Sequence, residues 1–187
     1  KREAFRLFSG AYDHLGLFSP ITGATVHVLS SSPAGMTCRL LISKTKIGPA
    51  KMSSIPRKEL LGCLLGARLK NQVELALEKS FPCKAFTDSS ACLGWLKTAG
   101  NIPGRFEESR ISEILTFISR DNWLWIKGTE NVADLLTRGN CSLADIDTDS
   151  IFQNGPAWMV EDETLWPVKA TFTAYPAILN ENLEDEE

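Results

Sequence analysis

One leucine-rich segment constrains the fold of this chain more than any other. Its apolar residues recur at helical spacing and predict a buried helix from residue 55 to about residue 79: Leu60, Leu61, Leu64, Leu65 and Leu69. Ser54 can cap the start of this helix, and Pro56 lies in the first turn, where a missing N–H costs little. Gly62, Cys63 and Gly66 form a second stripe of small residues. Because glycine disfavours a helix, the stripe indicates close packing against a sheet.

Glu59 lies one turn before Cys63 and therefore points toward whatever the small stripe covers. A carboxylate in that position needs a partner, since an unpaired buried charge is very costly. An ion pair, or a favourable interaction with the helix dipole, explains Glu59 when it is considered alone. Whether Glu59 has a functional role depends on its position relative to the acidic residues later in the sequence.

The composition is that of one well-cored domain with extensions. The chain has 187 residues, 43% of them hydrophobic, and no apolar run long enough to span a bilayer, so no membrane contact is expected. Five cysteines form no CxxC pair, which predicts reduced structural thiols in an intracellular compartment, cytoplasmic or nuclear: Cys38, Cys63, Cys83, Cys92 and Cys141. A zinc site is not expected, because His14 and His27 lack ligand-like spacing to these cysteines.

The net charge is −3, but five of the acidic residues fall within residues 181–187. The rest of the chain is therefore weakly basic, which neither requires nor excludes a phosphate-binding surface. No small-molecule cofactor is expected.

The pattern of the remaining chain predicts an α/β domain. Alternating residues on either side of a turn at 30–35 predict a hairpin, and short apolar runs predict strands at 84–87 and 123–126. Helices are expected at 89–97 and 106–120, and a short one ending at Gly139. Residues 1–22 are ambiguous and receive no firm element.

Three carboxylates stand where these elements can bring them together. Asp88 directly follows a strand, Asp134 opens a short helix, and Glu59 lies near the start of the long helix. Taken singly, Asp88 is explained as a helix cap and Asp134 as a first-turn residue. Together, three or four carboxylates bind hard divalent cations, and two Mg²⁺ ions about 4 Å apart can activate a water for phosphodiester cleavage.

Three sequence motifs carry a resemblance to a known family. They are IPRKELL at 55–61, FTDS at 86–89 followed by GWL at 94–96, and ENVADLLTRG at 130–139. In order and spacing they resemble the ribonuclease H region of BEL/Pao long-terminal-repeat retrotransposon polyproteins. Flanking features at 41–49 and the NGPAW motif at 154–158 extend the resemblance to residues 23–167.

The resemblance implies a ribonuclease H-like fold, with a mixed sheet of about five strands and helices on both faces. It also implies a two-metal site, with Mg²⁺ or Mn²⁺, that cuts the RNA strand of RNA–DNA hybrids. Glu59, Asp88 and Asp134 match the second, third and fourth acidic positions of the family and are the expected catalytic and metal-binding residues.

The chain departs from the family at the first acidic position. The family has an aspartate in its first strand, shortly before the pair that is Gly23-Ala24 here, and this chain has none. Residues 1–22 instead resemble the end of a reverse transcriptase region, as in an internally deleted or host-adopted derivative. If residues 5–9 supply a substitute first strand, Gly10 or Ala11 falls near the missing aspartate. Asp13 is the nearest carboxylate, but in a glycine-rich turn it reads more simply as a turn former.

We therefore expect a ribonuclease H-like domain with an altered first strand at 23–145, an aromatic C-terminal extension at 146–180, and an acidic tail at 181–187. The favoured hypothesis is a catalytically degenerate domain that binds a protein or a nucleic acid. The extension contributes either an adhesive surface or, slightly preferred, a cover for the domain's own core: Trp158, Trp166, Phe172 and Tyr175.

The competing hypothesis is an active Mg²⁺-dependent nuclease in which Asp13 or a water completes the site. An RNA–DNA hybrid would then contact cationic residues, although such residues are usually only solvated: Lys44, Lys46, Lys51, Arg57 and Lys58. A transposase- or integrase-like nuclease of the same fold is a third, weaker alternative, against which the retroelement motifs argue.

Overall fold

The computed structural model describes residues 3–12, 21–47, 54–98, 102–137 and 142–169. Five strands form one mixed sheet in the order β3-β2-β1-β4-β5. Their bounds are β1 Glu3–Tyr12, β2 Ile21–Ser32, β3 Gly35–Ile47, β4 Cys83–Thr87 and β5 Trp123–Trp125. The helices are α1 Ile55–Ala76, α2 Ser90–Lys97, α3 Arg105–Phe117 and the short α4 Ile151–Asn154. The mixed α/β architecture expected from the sequence is present.

β1 occupies the centre of the sheet, in a stretch to which the sequence assigned no firm element. It pairs antiparallel with β2 along its whole length and parallel with β4 from Phe5 opposite Cys83 to Ser9 opposite Thr87. β2 and β3 form the expected hairpin, whose turn includes Gly35 at φ +117, a conformation that side chains rarely adopt. The pairing of β2 with β3 shifts register beside Val26.

α1 covers one face of the sheet, as its small-residue stripe predicts. Gly62, Cys63 and Gly66 are buried, and Cys63 packs in a core cluster with Ala24 and Val26 of β2. A Cα without a large side chain lets the helix approach the strands, which is why glycine is tolerated here. α2 and α3 contribute to the same cluster, so the three long helices share one face rather than dividing between two.

Two details of α1 differ from the sequence analysis. Ser54 occupies the N-cap position, but its side chain makes no capping hydrogen bond. The helix ends at Ala76 rather than near residue 79, because Glu78 adopts a left-handed conformation with φ 50 that terminates it.

The C-terminal part of the described chain covers the opposite face of the sheet. Phe86 of β4, Trp158 and Trp166 form an aromatic cluster with ring centroids 5.5 to 5.9 Å apart. Trp166 is 7% exposed. The preferred alternative, a cover for the core, is therefore confirmed for Trp166, and the partly buried Trp158 packs against the same cluster. Phe172 and Tyr175 lie outside the described residues.

Within the described ranges, no helix combines the length and apolar character needed to cross a bilayer. Cys38, Cys63, Cys83 and Cys92 are buried free thiols, in keeping with the expected structural role. Cys141 lies outside the described residues.

His27 ties α4 to the sheet and should make stability pH-dependent. Its Nε2 lies 2.9 Å from the carbonyl oxygen of Phe152, and because a carbonyl only accepts, Nε2 carries the hydrogen. Burial lowers the pKa of His27 to about 4 from 6.5. The unfolded chain therefore takes up a proton first as the pH falls, so stability present above pH 6.5 is lost toward pH 4.

We expect His27→Gln, which keeps a donor for Phe152, to remove this dependence. Between pH 6.5 and 4 the unfolding free energy of the parent should fall more steeply than that of the variant, by roughly 1.4 kcal/mol per pH unit. Urea titrations at several pH values measure both slopes. Parallel slopes for the two proteins would show that His27 titrates normally in the folded state.

Candidate functional site

The topology brings one end of several elements to a common edge of the sheet. β1, β4 and β5 are parallel, and β3 shares their direction because two antiparallel pairings separate it from β1. α1 begins on the side where β3 ends. We call the side on which these four strands end the carboxyl edge.

Glu59 lies near the start of α1, on the side of the carboxyl edge, and is 8% exposed. Its charge acts on the thiol of Cys92 in α2. Burial raises the pKa of Cys92 well above its ordinary value, and the neighbouring Cys63 and the charge of Glu59 raise it further. The Cys92 thiol also donates to the carbonyl oxygen of Pro56 at 3.3 Å. Glu59 is thus held in a sheltered junction between α1 and α2.

Asp88 directly follows β4 and is positioned from the β5 side. The indole N–H of Trp125 donates to the backbone carbonyl of Asp88 at 2.8 Å. A Cβ on Gly128 would stand only 3.1 Å from Oδ2 of Asp88, so glycine there leaves room for the carboxylate. Ser89, not Asp88, caps α2, since its Oγ accepts from the N–H of Cys92 at 3.3 Å. The simple explanation of Asp88 as a helix cap is therefore wrong.

Asp134 lies in the 3₁₀ turn Val132–Leu136, which follows β5, and is 8% exposed. Asn131 caps this turn through the N–H of Ala133 at 3.3 Å and also donates from Nδ2 to Oδ1 of Asp134 at 3.3 Å. The hydroxyl of Thr137 donates to the backbone carbonyl of Asp134 at 3.1 Å. Asp134 thus has a fixed position in a mostly buried turn.

The three predicted carboxylates therefore belong to elements that start or end at the carboxyl edge. Within the described ranges, however, no group of three or more acidic, histidine or cysteine side chains is arranged to hold a metal ion. The parallel pairing of β1 with β4 ends at Ser9 opposite Thr87, so Gly10 and Asp88 are the residues that follow the last pair. Asp13 lies outside the described residues.

The cationic side chains expected to contact nucleic acid differ in their exposure to solvent. Lys44 and Lys46 are exposed on β3, whereas Lys58 is only partly exposed. Arg57 donates from Nε to Oε1 of Glu107 at 2.5 Å, and Glu107 is 2% exposed. Because Arg57 balances a buried carboxylate, its charge is only partly available to a phosphate. Lys51 lies outside the described residues.

Sequence reasoning missed the residues that hold the carboxylates in place. Asn131 carries a usable signal, since an asparagine before a short helical run is a common N-cap. Trp125 and Gly128 carry none, because their contacts with Asp88 join residues far apart in the chain.

Comparison with known proteins supports the resemblance over part of the chain. Residues 22–89 match the family described as Pao retrotransposon-like RNaseH-like domain. The predicted resemblance is confirmed for this stretch, which contains Glu59 and Asp88. No curated protein sequence matches the chain.

Solved structures support the fold. The N-terminal RNase H domain of Rv2228c from Mycobacterium tuberculosis, solved as a fusion with maltose-binding protein, is similar with a TM-score of 0.54 at 12% identity. The similarity covers 76% of this chain and 96% of that domain. At this identity the likeness shows an RNase H-like fold and nothing finer.

Two further structures are more distant. LC9-RNase H1 has a TM-score of 0.43 at 14% identity, covering 67% of this chain and 63% of its own. The NurA nuclease from Sulfolobus solfataricus has a TM-score of 0.40 at 12% identity, covering 68% and 47%. Neither score is high enough to support an argument about this protein.

The capping role of Asn131 leads to a stability prediction. Asn131→Ala removes the cap of the turn and the hydrogen bond to Asp134, so we expect a loss of about 1–2 kcal/mol of unfolding free energy. Asn122→Ala is the matched control, since Asn122 is partly exposed in another 3₁₀ turn. Denaturant unfolding of both variants measures the difference. Equal stability of the two would contradict the role assigned to Asn131.

Proposed function

We propose that this chain is a retrotransposon-type RNase H-like domain that has lost hydrolysis and serves as a binding module. The observation that carries the proposal is the register of β1 against β4. The pairing ends at Ser9 opposite Thr87, so the residues that follow the last pair are Gly10, which has no side chain, and Asp88. The family resemblance calls for a carboxylate in the first strand, and the only acidic residue of β1 is Glu3, at its opposite end.

The missing group matters because of its place in the expected chemistry. The resemblance implies that an aspartate of the first strand would help to hold both metal ions, and without it the remaining carboxylates would not fix two ions at the required separation. Displacing a ligand by even an ångström or so costs orders of magnitude in rate, since catalysis of this kind depends on positioning. Glu59, Asp88 and Asp134 would then be remnants of a catalytic site.

The alternative is an active nuclease that uses Mg²⁺ or Mn²⁺ to cut the RNA strand of RNA–DNA hybrids. It is favoured by the placement of Glu59, Asp88 and Asp134 on elements that meet at the carboxyl edge. It requires Asp13 or another group to complete the site. Hybrid binding through Lys44, Lys46 and Lys58 is compatible with either function.

The deciding measurement is hydrolysis of a labelled RNA–DNA hybrid in Mg²⁺ and in Mn²⁺. We expect no cleavage by the folded parent and none by Glu59→Gln, which removes one carboxylate charge while keeping the shape of the side chain. Cleavage by the parent that Glu59→Gln abolishes would establish the active nuclease and refute the proposal.

A gain-of-function variant tests the reason for the loss. Gly10→Asp puts a carboxyl group on the residue that follows the last pair of β1 with β4, and we expect it to yield metal-dependent cleavage above the parent's background. Ala11→Asp is the matched control, because successive residues of a strand alternate between its faces. Cleavage should also disappear when Glu59→Gln is added to Gly10→Asp. If both aspartate variants fold and neither cleaves, the missing carboxylate alone does not explain the loss.

A further inference from the structure

The two outermost strands of the sheet, β5 and β3, differ in whether their outer side is paired. At one edge, Trp125 of β5 pairs antiparallel with Lys169 through two backbone hydrogen bonds of 2.9 Å. At the other edge, no strand among the described residues pairs with the outer side of β3. β3 is thirteen residues long, so it offers a row of backbone donors and acceptors to an incoming strand.

The open edge also exposes apolar side chains. Leu41 and Ile47 are 44% and 68% exposed, and Met36 and Ile42 are exposed as well. Next to the first half of β3 lies a groove of about 530 Å³, bounded by Met36 and Arg39 on one side and by Asp149, Ile151 and Pro156 on the other. The apolar and backbone groups together suit an extended peptide, which can bury side chains while adding to the sheet.

Close contact between β3 and the end of α4 shapes this groove. Gly155 has φ +69, and a Cβ there would lie 2.7 Å from Sγ of Cys38. Only glycine therefore allows the chain to pass so near β3. Gly155 belongs to the NGPAW motif at 154–158, so this motif shapes the groove. The motif has no role at the carboxyl edge.

The charge of the hairpin identifies the partner's chemistry. The hairpin of β2 and β3 has three charged residues, all of them cationic: Arg39, Lys44 and Lys46. It has no acidic residue, although the chain as a whole is acidic. All three cations are exposed, and none pairs with a carboxylate of the described chain. A strand carrying acidic side chains would be attracted, whereas a second copy of β3 would be repelled.

We propose that β3 is a strand-addition site for an extended segment of a partner protein in which apolar and acidic residues alternate. This inference rests on the proposed binding role and names its partner class. Lysines and a register shift on an edge strand discourage indiscriminate pairing. Here the same lysines favour an acidic strand over a basic one. Nucleic acid fits less well, because its phosphates would match the cations but leave Leu41 and Ile47 without apolar partners.

The test uses the full chain and two sets of blocked twelve-residue peptides. One set alternates valine or isoleucine with glutamate, and the other alternates the same apolar residues with lysine. We expect only the acidic set to bind by calorimetry, and to slow amide hydrogen exchange along β3 but not along β5.

Charge reversal supplies the matched variants. Lys44→Glu with Lys46→Glu should weaken binding of the acidic peptides about tenfold. Arg105→Glu with Lys127→Glu changes the net charge equally, at exposed positions away from the hairpin, and should leave binding within about twofold of the parent. Thermal melts of both double variants check that they fold.

Three results would overturn the inference: no binding of the acidic peptides, equal binding of the basic ones, or protection of β3 amides by an RNA–DNA hybrid but not by peptide. The hybrid cleavage assay is independent of this outcome. Cleavage together with peptide binding would refute the proposed loss of hydrolysis and leave the β3 interface standing. Absence of both cleavage and peptide binding would refute the β3 interface and leave the proposed loss of hydrolysis standing.

Discussion

The double pairing of β1 is the interaction on which the rest of the structure depends. One side of the strand is joined to the hairpin of β2 and β3, and the other to β4 and, through it, to β5. Without β1 the sheet would divide into a hairpin and a parallel pair, and two-stranded sheets are marginal in water. The proposed loss of hydrolysis rests on the same strand, because its pairing with β4 ends one residue before Gly10 and Asp88.

A second constraint is the buried charge that joins α1 to α3. The side chain of Glu107 is 2% exposed and receives Arg57 at 2.5 Å, while Arg68 makes two hydrogen bonds to Glu113 further along the same two helices. These contacts fix the helices side by side and in parallel. Arg57 is therefore explained first by helix packing, although its place beside Glu59 made it a candidate for phosphate binding.

The order of the elements followed from local patterns. Hydrophobic spacing gave α1, α2, α3 and the hairpin, because each signal lies within a few residues of the element it describes. β1 was not assigned, since residues 3–12 have no clear alternation and gain their strand conformation from two partners distant in sequence. The end of α1 was placed too late for a similar reason: the terminating residue, Glu78, is not one of the usual helix stops.

The sequence by itself determined the candidate carboxylates Glu59, Asp88 and Asp134 and the lack of an aspartate shortly before Gly23-Ala24, because motifs and their spacing are local properties. Only the tertiary structure decided how they are held, through Trp125, Gly128 and Asn131. It also decided which edge of the sheet stays open. Strand pairing and side-chain packing join residues dozens of positions apart, and such long-range contacts leave no periodic signal in the chain.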